Sequence, residues 1–251
     1  MNTVVTYPNN NIPNSKANWV MTSIQKGWDQ PSHHFWGLIN NNQNIIKELT
    51  AQNIDWYFWD MPFYFRYGLH NDFMWRVSKN ALYPKSTINR PSDRFDKWCL
   101  NPVSYKSGDK ILICPSSDTI SLWYTGLTAQ QWTKKTIRKL KKYTDRPIDV
   151  RYKPRSNTTS GPLAANKSFS QQAQGSHCII TLTSLCAVEA HLLGIKTICH
   201  PESFAAQVSN TSLSEIENLQ EPDPLQWFYN LAYCQFTHKE IESGLAQQCM
   251  I

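Results

Sequence analysis

From Gly108 to Cys199 the chain alternates short β-branched apolar runs with helix-forming stretches, and no other feature limits its fold as strongly. Lys110-Ile-Leu-Ile-Cys114 reads as a buried strand that stops at Pro115-Ser116-Ser117. Thr128-Ala-Gln-Gln131 is a capping box, whose hydroxyl and carboxamide satisfy helix-end N–H groups reciprocally, and it opens a helix running to about Tyr143. Ile148–Tyr152 is the next strand, closed by Lys153-Pro154. Arg155 to Gly175 is polar and turn-rich and reads as a loop holding a short helix. Cys178–Thr183 is a third strand, Leu185–Leu193 a helix stopped by Gly194, and Lys196–Cys199 a fourth strand. This alternation predicts an α/β domain with a parallel, Rossmann-like sheet whose ligands sit at the carboxyl ends of the strands.

That rule selects Ser116 and Ser117, then Arg151 and Lys153, then Thr183 and Ser184, then His200. Together they compose an anion site: hydroxyls and a helix start at Ser184 donate to phosphate oxygens, and the two cations match a diphosphate. The alternative is that the Ser and Thr residues cap helices and the basic pair is solvated surface. Neither GxGxxG nor GxxxxGK[ST] occurs, which disfavours dinucleotide and P-loop sites. Glu189 falls among Leu185, Val188, Leu192 and Leu193, where a buried carboxylate needs a partner, either a ribose diol or a neighbouring cation.

The first hundred residues are less regular, rich in Asn, Pro and Trp. A helix is expected at Asn42 to Gln52, where Ile45, Ile46 and Leu49 share a face, followed by a strand from Ile54 to Trp59 that ends at Asp60. Near the terminus Asp223-Pro-Leu-Gln226 and Thr237-His-Lys-Glu240 are two more capping boxes, predicting two closing helices. A length of 251 residues accommodates two compact lobes. No apolar run approaches the ~20 residues that span a bilayer, and Met1 to Pro13 lacks the pattern of a signal peptide, so a cytoplasmic protein without a membrane partner is expected. The seven cysteines form no CxxC pair, which points away from zinc and disulfides. A net charge of +6 favours a polyanionic partner and is also common among proteins that bind none.

Thr183-Ser-Leu-Cys-Ala-Val-Glu-Ala-His-Leu-Leu-Gly-Ile-Lys-Thr197 resembles the donor-binding segment of GT-B glycosyltransferases, a loop, a helix carrying Glu-Ala, then Gly and a strand. The family's glycine-rich loop is replaced here by Ser184-Leu185-Cys186. A closer resemblance, over Lys110 to Ala246, is to uncharacterised tailed-phage proteins suspected of glycosylating DNA. It is carried by Ile111-Leu-Ile-Cys-Pro-Ser-Ser117, Tyr143-Thr-Asp-Arg-Pro-Ile148, Arg151-Tyr-Lys-Pro154 and Leu231-Ala-Tyr-Cys-Gln-Phe-Thr237 with Glu240 and Gly244. These resemblances imply a GT-B-like fold of two Rossmann-like lobes with parallel sheets, a nucleotide-sugar donor such as a UDP-sugar, and a hydroxymethylated pyrimidine of duplex DNA as acceptor, in the host cytoplasm if phage-encoded. The expected division is an acceptor lobe at 1–107, a donor lobe at 108–222, and C-terminal helices at 223–251 that return to the first lobe.

Sugar transfer to a hydroxyl needs a base for its proton and charge to stabilise the leaving phosphate. Asp60 is the expected base, with Asp72 and His70 competing; Arg66, His70 and Arg76 are expected to contact the acceptor. Donor binding falls to Ser116, Ser117, Arg151, Lys153, Thr183, Ser184, His200 and Glu189, with no metal or other cofactor. Six basic residues between Lys134 and Lys142 either meet a DNA backbone or form a solvated helix face. The aromatics of Trp56 to Tyr67 either hold an extruded base or sugar, or form core. A monomer or weak homodimer is expected. The competing functions are a polysaccharide or cell-surface glycosyltransferase and a nucleotide- or DNA-binding protein without turnover.

Overall fold

The computed structural model describes residues 3–8, 15–65, 72–85, 88–152 and 168–250; Arg66, His70 and Lys153, with most of the turn-rich segment after Pro154, lie outside the described residues. In chain order the elements are β1 (Val4–Tyr7), α1 (Lys16–Gly27), β2 (Ser32–Trp36), α2 (Asn42–Ala51), β3 (Trp56–Asp60), β4 (Met74–Lys79) and α3 (Asp93–Asp96). There follow β5 (Lys110–Cys114), α4 (Asp118–Thr125), α5 (Ala129–Leu140), β6 (Ile148–Val150), α6 (Phe169–Ala173), β7 (Ser176–Thr181), α7 (Cys186–Leu192) and β8 (Lys196–Ile198). The chain closes with α8 (Leu225–Ala232), β9 (Gln235–Thr237), α9 (His238–Glu242) and α10 (Leu245–Met250). Two compact units result: Met1–Lys97 with Phe228–Ile251, and Trp98–Trp227.

The first unit is built on a five-stranded sheet of order β1-β2-β3-β4-β9. Strands β1 to β3 run parallel, whereas β4 and β9 are antiparallel to their neighbours, so the sheet is mixed. The C-terminal segment thus contributes a strand as well as helices to this unit. Helix α1 is absent from the expected elements, although its buried residues Ala17, Val20, Met21 and Ile24 recur at helical spacing. It starts where the Ser15 hydroxyl accepts from the Asn18 N–H and ends where the Trp28 N–H bonds the Ile24 carbonyl. Its apolar stripe packs with Trp59, Trp75 and Phe236; truncating Ile24, which is fully buried, to Ala would cost roughly 2–5 kcal/mol. Close approach of α1 to α9 requires Gly27, because a Cβ there would collide with the Ile241 carbonyl oxygen.

Strand β2 is unexpected for a different reason: its polar residues are buried in pairs. His34 has no exposed surface; the Trp59 indole donates to its Nδ1 (3.0 Å), and its Nε2 meets the Ser32 hydroxyl (2.8 Å), which donates onward to the Gln30 carbonyl. That arrangement needs a neutral imidazole protonated on Nε2, and burial, aided by the neighbouring His33, pushes its pKa down to about 3.

The second unit carries a four-stranded, wholly parallel sheet of order β6-β5-β7-β8. Alternation along β5 and β7 sends Ile111, Ile113, Cys178 and Ile180 to one face, with Leu140 of α5 and Ile216, and Leu112, Cys114 and Ile179 to the other, with α6 and α7. Both halves of the capping box at Thr128 and Gln131 are formed. Gly194 takes φ +66° just beyond α7, and its lack of a side chain lets the Ser104 carbonyl lie against it. Strand β7 ends at Thr181, two residues before the expected end, because the Thr181 hydroxyl accepts from the Ser184 N–H and turns the chain out of the sheet. On α7, His191 is buried between the Tyr105 hydroxyl (2.8 Å to Nδ1) and the Thr197 hydroxyl (2.9 Å to Nε2), and burial pushes its pKa to about 3.

Candidate functional site

Because the second sheet is parallel, all four of its strands deliver their carboxyl ends to one edge. Past β5, the Ser116 hydroxyl accepts from the Thr183 N–H (3.2 Å) and contacts the Thr183 hydroxyl (3.3 Å), so the loops after β5 and β7 are joined. Thr183 itself is fully buried: it stands behind Ser116 and supports that residue, which corrects the expectation of direct ligand contact. Ser117 sits at the start of α4 and is exposed, its side chain making no capping hydrogen bond. Ser184 lies at the turn into α7, where its hydroxyl accepts from the Cys186 N–H (3.4 Å).

Arg151 continues the β5–β6 ladder, its backbone N–H bonding the Ile113 carbonyl (2.8 Å). Its guanidinium carbon lies 5.8 Å from the Phe169 ring centroid, and its Nε is buried with no hydrogen-bond partner among the described residues. A buried guanidinium N–H without an acceptor is costly, and an anion is the group that would satisfy it. The Cys114 thiol reports what surrounds it: hydrogen bonding with Cys186 and burial push its pKa well up, the charge of Arg151 opposes this, and that of Glu189 adds to it. Arg151, Glu189, Cys114 and Cys186 are therefore neighbours at this edge, a grouping that strand-end counting does not reveal for the two thiols. His200 follows β8, its N–H bonded to the Leu182 carbonyl (3.0 Å) and its ring near Tyr124; burial lowers its pKa.

In the first unit, antiparallel pairing of β3 with β4 sets Asp60 directly opposite Arg76. Arg76 Nη2 donates to Asp60 Oδ2 (2.8 Å), Nη1 donates to the Leu82 carbonyl (2.7 Å), and the guanidinium lies over the Tyr83 ring at 4.6 Å. The other oxygen of Asp60 accepts from the Met61 N–H (2.7 Å). Exposure is lopsided: the Asp60 side chain is 35% accessible and that of Arg76 1%. Arg76 is thus enclosed and positions Asp60, which corrects the expectation that it touches an acceptor directly. Asp72 is exposed. The aromatics Trp56, Tyr57, Phe58, Trp59, Phe63 and Tyr64 are core residues, each at most 5% exposed.

A further concavity of about 540 Å³ lies in the second unit between α5, the ends of β7 and β8, and residues Thr211 to Ser214. Among the described residues no cluster of His, Cys, Asp and Glu could hold a metal ion, and no helix is long and apolar enough to cross a membrane.

No protein-family model and no curated protein matches the chain. Among solved structures, it is similar to Thermosulfurimonas dismutans KpsC, a β Kdo 2,4 transferase, with a TM-score of 0.54 at 13% identity, over 94% of this chain and 92% of that one. It is also similar to the Thermosulfurimonas dismutans KpsC β Kdo 2,7 transferase, with a TM-score of 0.50 at 13% identity, over 93% and 90% of the two chains. At this identity the likeness defines the fold, which is mixed α/β with parallel strands and GT-B-like.

Proposed function

We propose that the chain is a glycosyltransferase that holds a nucleotide-activated sugar at the carboxyl edge of the β6-β5-β7-β8 sheet. The observation that carries this reading is the buried Nε of Arg151, without a hydrogen-bond partner among the described residues, in a neighbourhood that includes Cys114, Glu189 and Cys186 at the start of α7. Arg151 and the exposed Ser117 would hold phosphate oxygens, Ser184 and His200 would flank them, Lys153 would add charge, and Glu189 would accept from the ribose hydroxyls. Likeness of fold to two sugar transferases over nearly the whole chain supports the same class of reaction.

In the proposed reaction an acceptor hydroxyl oxygen bonds to the anomeric carbon while the bond from that carbon to the donor phosphate breaks. The electron pair leaves on the phosphate oxygen, where Arg151 stabilises it, and the hydroxyl proton passes to a carboxylate base, the role we propose for Asp60. Arg76 aims that carboxylate from beneath, and no metal takes part.

The acceptor we infer is the hydroxymethyl group of a modified pyrimidine in DNA, supported by the net charge of +6 and by the lysines of α5, which have no ion-pair partner among the described residues. The second reading is a surface polysaccharide acceptor, favoured by the Kdo transferase names of the similar structures. The test incubates the protein with UDP-glucose or nucleotide-activated Kdo and either hydroxymethylpyrimidine DNA or an oligosaccharide, and follows both acceptors by mass spectrometry. A sugar adduct on DNA supports the first reading and an elongated oligosaccharide the second. Absence of both, together with no nucleotide binding by calorimetry, refutes the transferase assignment.

A further inference from the structure

The concavity beside α5 shares His200 with the proposed donor site, but its basic wall is one that site does not use. Lys135, Lys139 and Lys142 share one face of α5 and its extension and line one wall, rising along the helix by roughly 6 and 4.5 Å between successive residues. None of the three ammonium groups has a hydrogen-bond or ion-pair partner among the described residues. Among the described residues no Asp or Glu lines the concavity. Two acids in flanking segments are occupied elsewhere: Glu217 forms a two-armed pair with Arg146 (3.0 and 2.9 Å), and Glu215 accepts from Asn210 (3.0 Å).

A basic run on a convex helix face is ordinarily just solvated, but here the charges face a cleft with a low-dielectric floor of Ile180, Leu182 and Ile198, which focuses their field. Two rings border the same cleft, Trp132 half-buried and Tyr143 with 47% of its surface exposed. Thr211 and Ser212 line it as well, the Ser212 hydroxyl accepting from the Ser214 N–H (3.4 Å) and contacting the Ser214 hydroxyl (2.8 Å). Cations without partners among the described residues, an exposed aromatic ring and hydroxyl-bearing residues in one groove are the requirements of a phosphodiester backbone with unstacked bases, because lysines and hydroxyls meet phosphates while rings stack on bases of any identity.

We propose that this groove binds single-stranded nucleic acid, with Lys135, Lys139 and Lys142 on the backbone and Tyr143 as a stacking platform. The proposal rests on the transferase reading only for its biological setting, namely that the strand belongs to a DNA acceptor. The groove's own chemistry is independent of turnover.

Fluorescence anisotropy of a labelled oligothymidylate, titrated with the full chain at several salt concentrations, tests it. The triple substitution Lys135→Gln, Lys139→Gln, Lys142→Gln should flatten the plot of log affinity against log salt by about 2, three contacts at about 0.7 each. Tyr143→Ala should weaken binding about five-fold or more with the slope unchanged. An unchanged slope in the triple variant overturns the proposal. So does tighter binding of duplex DNA, or of an acidic polysaccharide such as polygalacturonate, through the same lysines. Circular dichroism and calorimetric titration with a UDP-sugar, run on each variant, separate the two hypotheses. Lysine-dependent strand binding without sugar transfer leaves the groove standing and removes the transferase, whereas donor turnover without strand binding does the reverse.

Discussion

Acidification should destabilise both units through two histidines buried as neutral rings. His34 and His191 are at most 1% exposed, and each uses both ring nitrogens in hydrogen bonds to partners that suit the neutral tautomer. Burial lowers both pKa values from 6.5 to about 3, so between these limits the unfolded chain binds more protons than the folded one and stability falls as pH falls. The contribution is complete above the unfolded value and is lost toward the folded one. At about 1.36 kcal/mol per pH unit, each ring withdraws about 2 kcal/mol at pH 5 and about 3 kcal/mol at pH 4. Against a usual total of 5–15 kcal/mol, two such rings bring the protein near its unfolding midpoint before most carboxylates titrate. His200 and His238, also lowered by burial, act in the same direction. The assay is urea unfolding followed by tryptophan fluorescence at about pH 7.5, 6.5, 5.5 and 5.0. His34→Gln supplies an amide that can accept from Trp59 and donate to Ser32, so it should remove one proton's worth of slope, about 1.4 kcal/mol per pH unit. A wild-type stability that is flat from about pH 7 to 5, or a variant with an undiminished slope, refutes the reasoning.

Asp60→Asn should lower stability by about 3–5 kcal/mol as well as abolishing turnover, because it leaves Arg76 enclosed without its anionic partner; adding Arg76→Met to that variant should recover much of the loss in a thermal melt while activity stays absent. Arg151→Gln should weaken nucleotide-sugar binding about 10- to 100-fold by calorimetry, the worth of a charge-assisted contact, with little change in melting temperature. Thr128→Ala removes half of a formed capping box and should cost about 1 kcal/mol, read as a lowered urea midpoint with an unchanged slope of unfolding.

How much could be read in advance follows the range of the interactions involved. Strand β5 coincides residue for residue with the apolar run Lys110–Cys114, and the boxes at Thr128 and Thr237 form as their spacing requires. Each depends on residues within four positions or on a single period of two. The carboxyl-end rule likewise placed Ser116 and Thr183 together, since parallel strands leave that geometry little freedom. The first unit resisted reading because its strands carry His, Trp and Arg, whose burial depends on partners far along the chain: His34 on Trp59, Trp75 on His238, Arg76 on Asp60.

The amino-acid sequence by itself determined the parallel α/β unit, the edge where ligands would gather and the basic face of α5, all consequences of local periodicity and of one topological rule. Only the tertiary structure decided that Thr183 stands behind Ser116, that Arg76 is enclosed and aims Asp60, and that the α5 lysines face a groove with no acid among its described lining residues. The physical reason is that burial and hydrogen-bond partnership are properties of the closed chain. A polar side chain is stable inside only where a distant residue completes its bonding, and no local pattern names that residue.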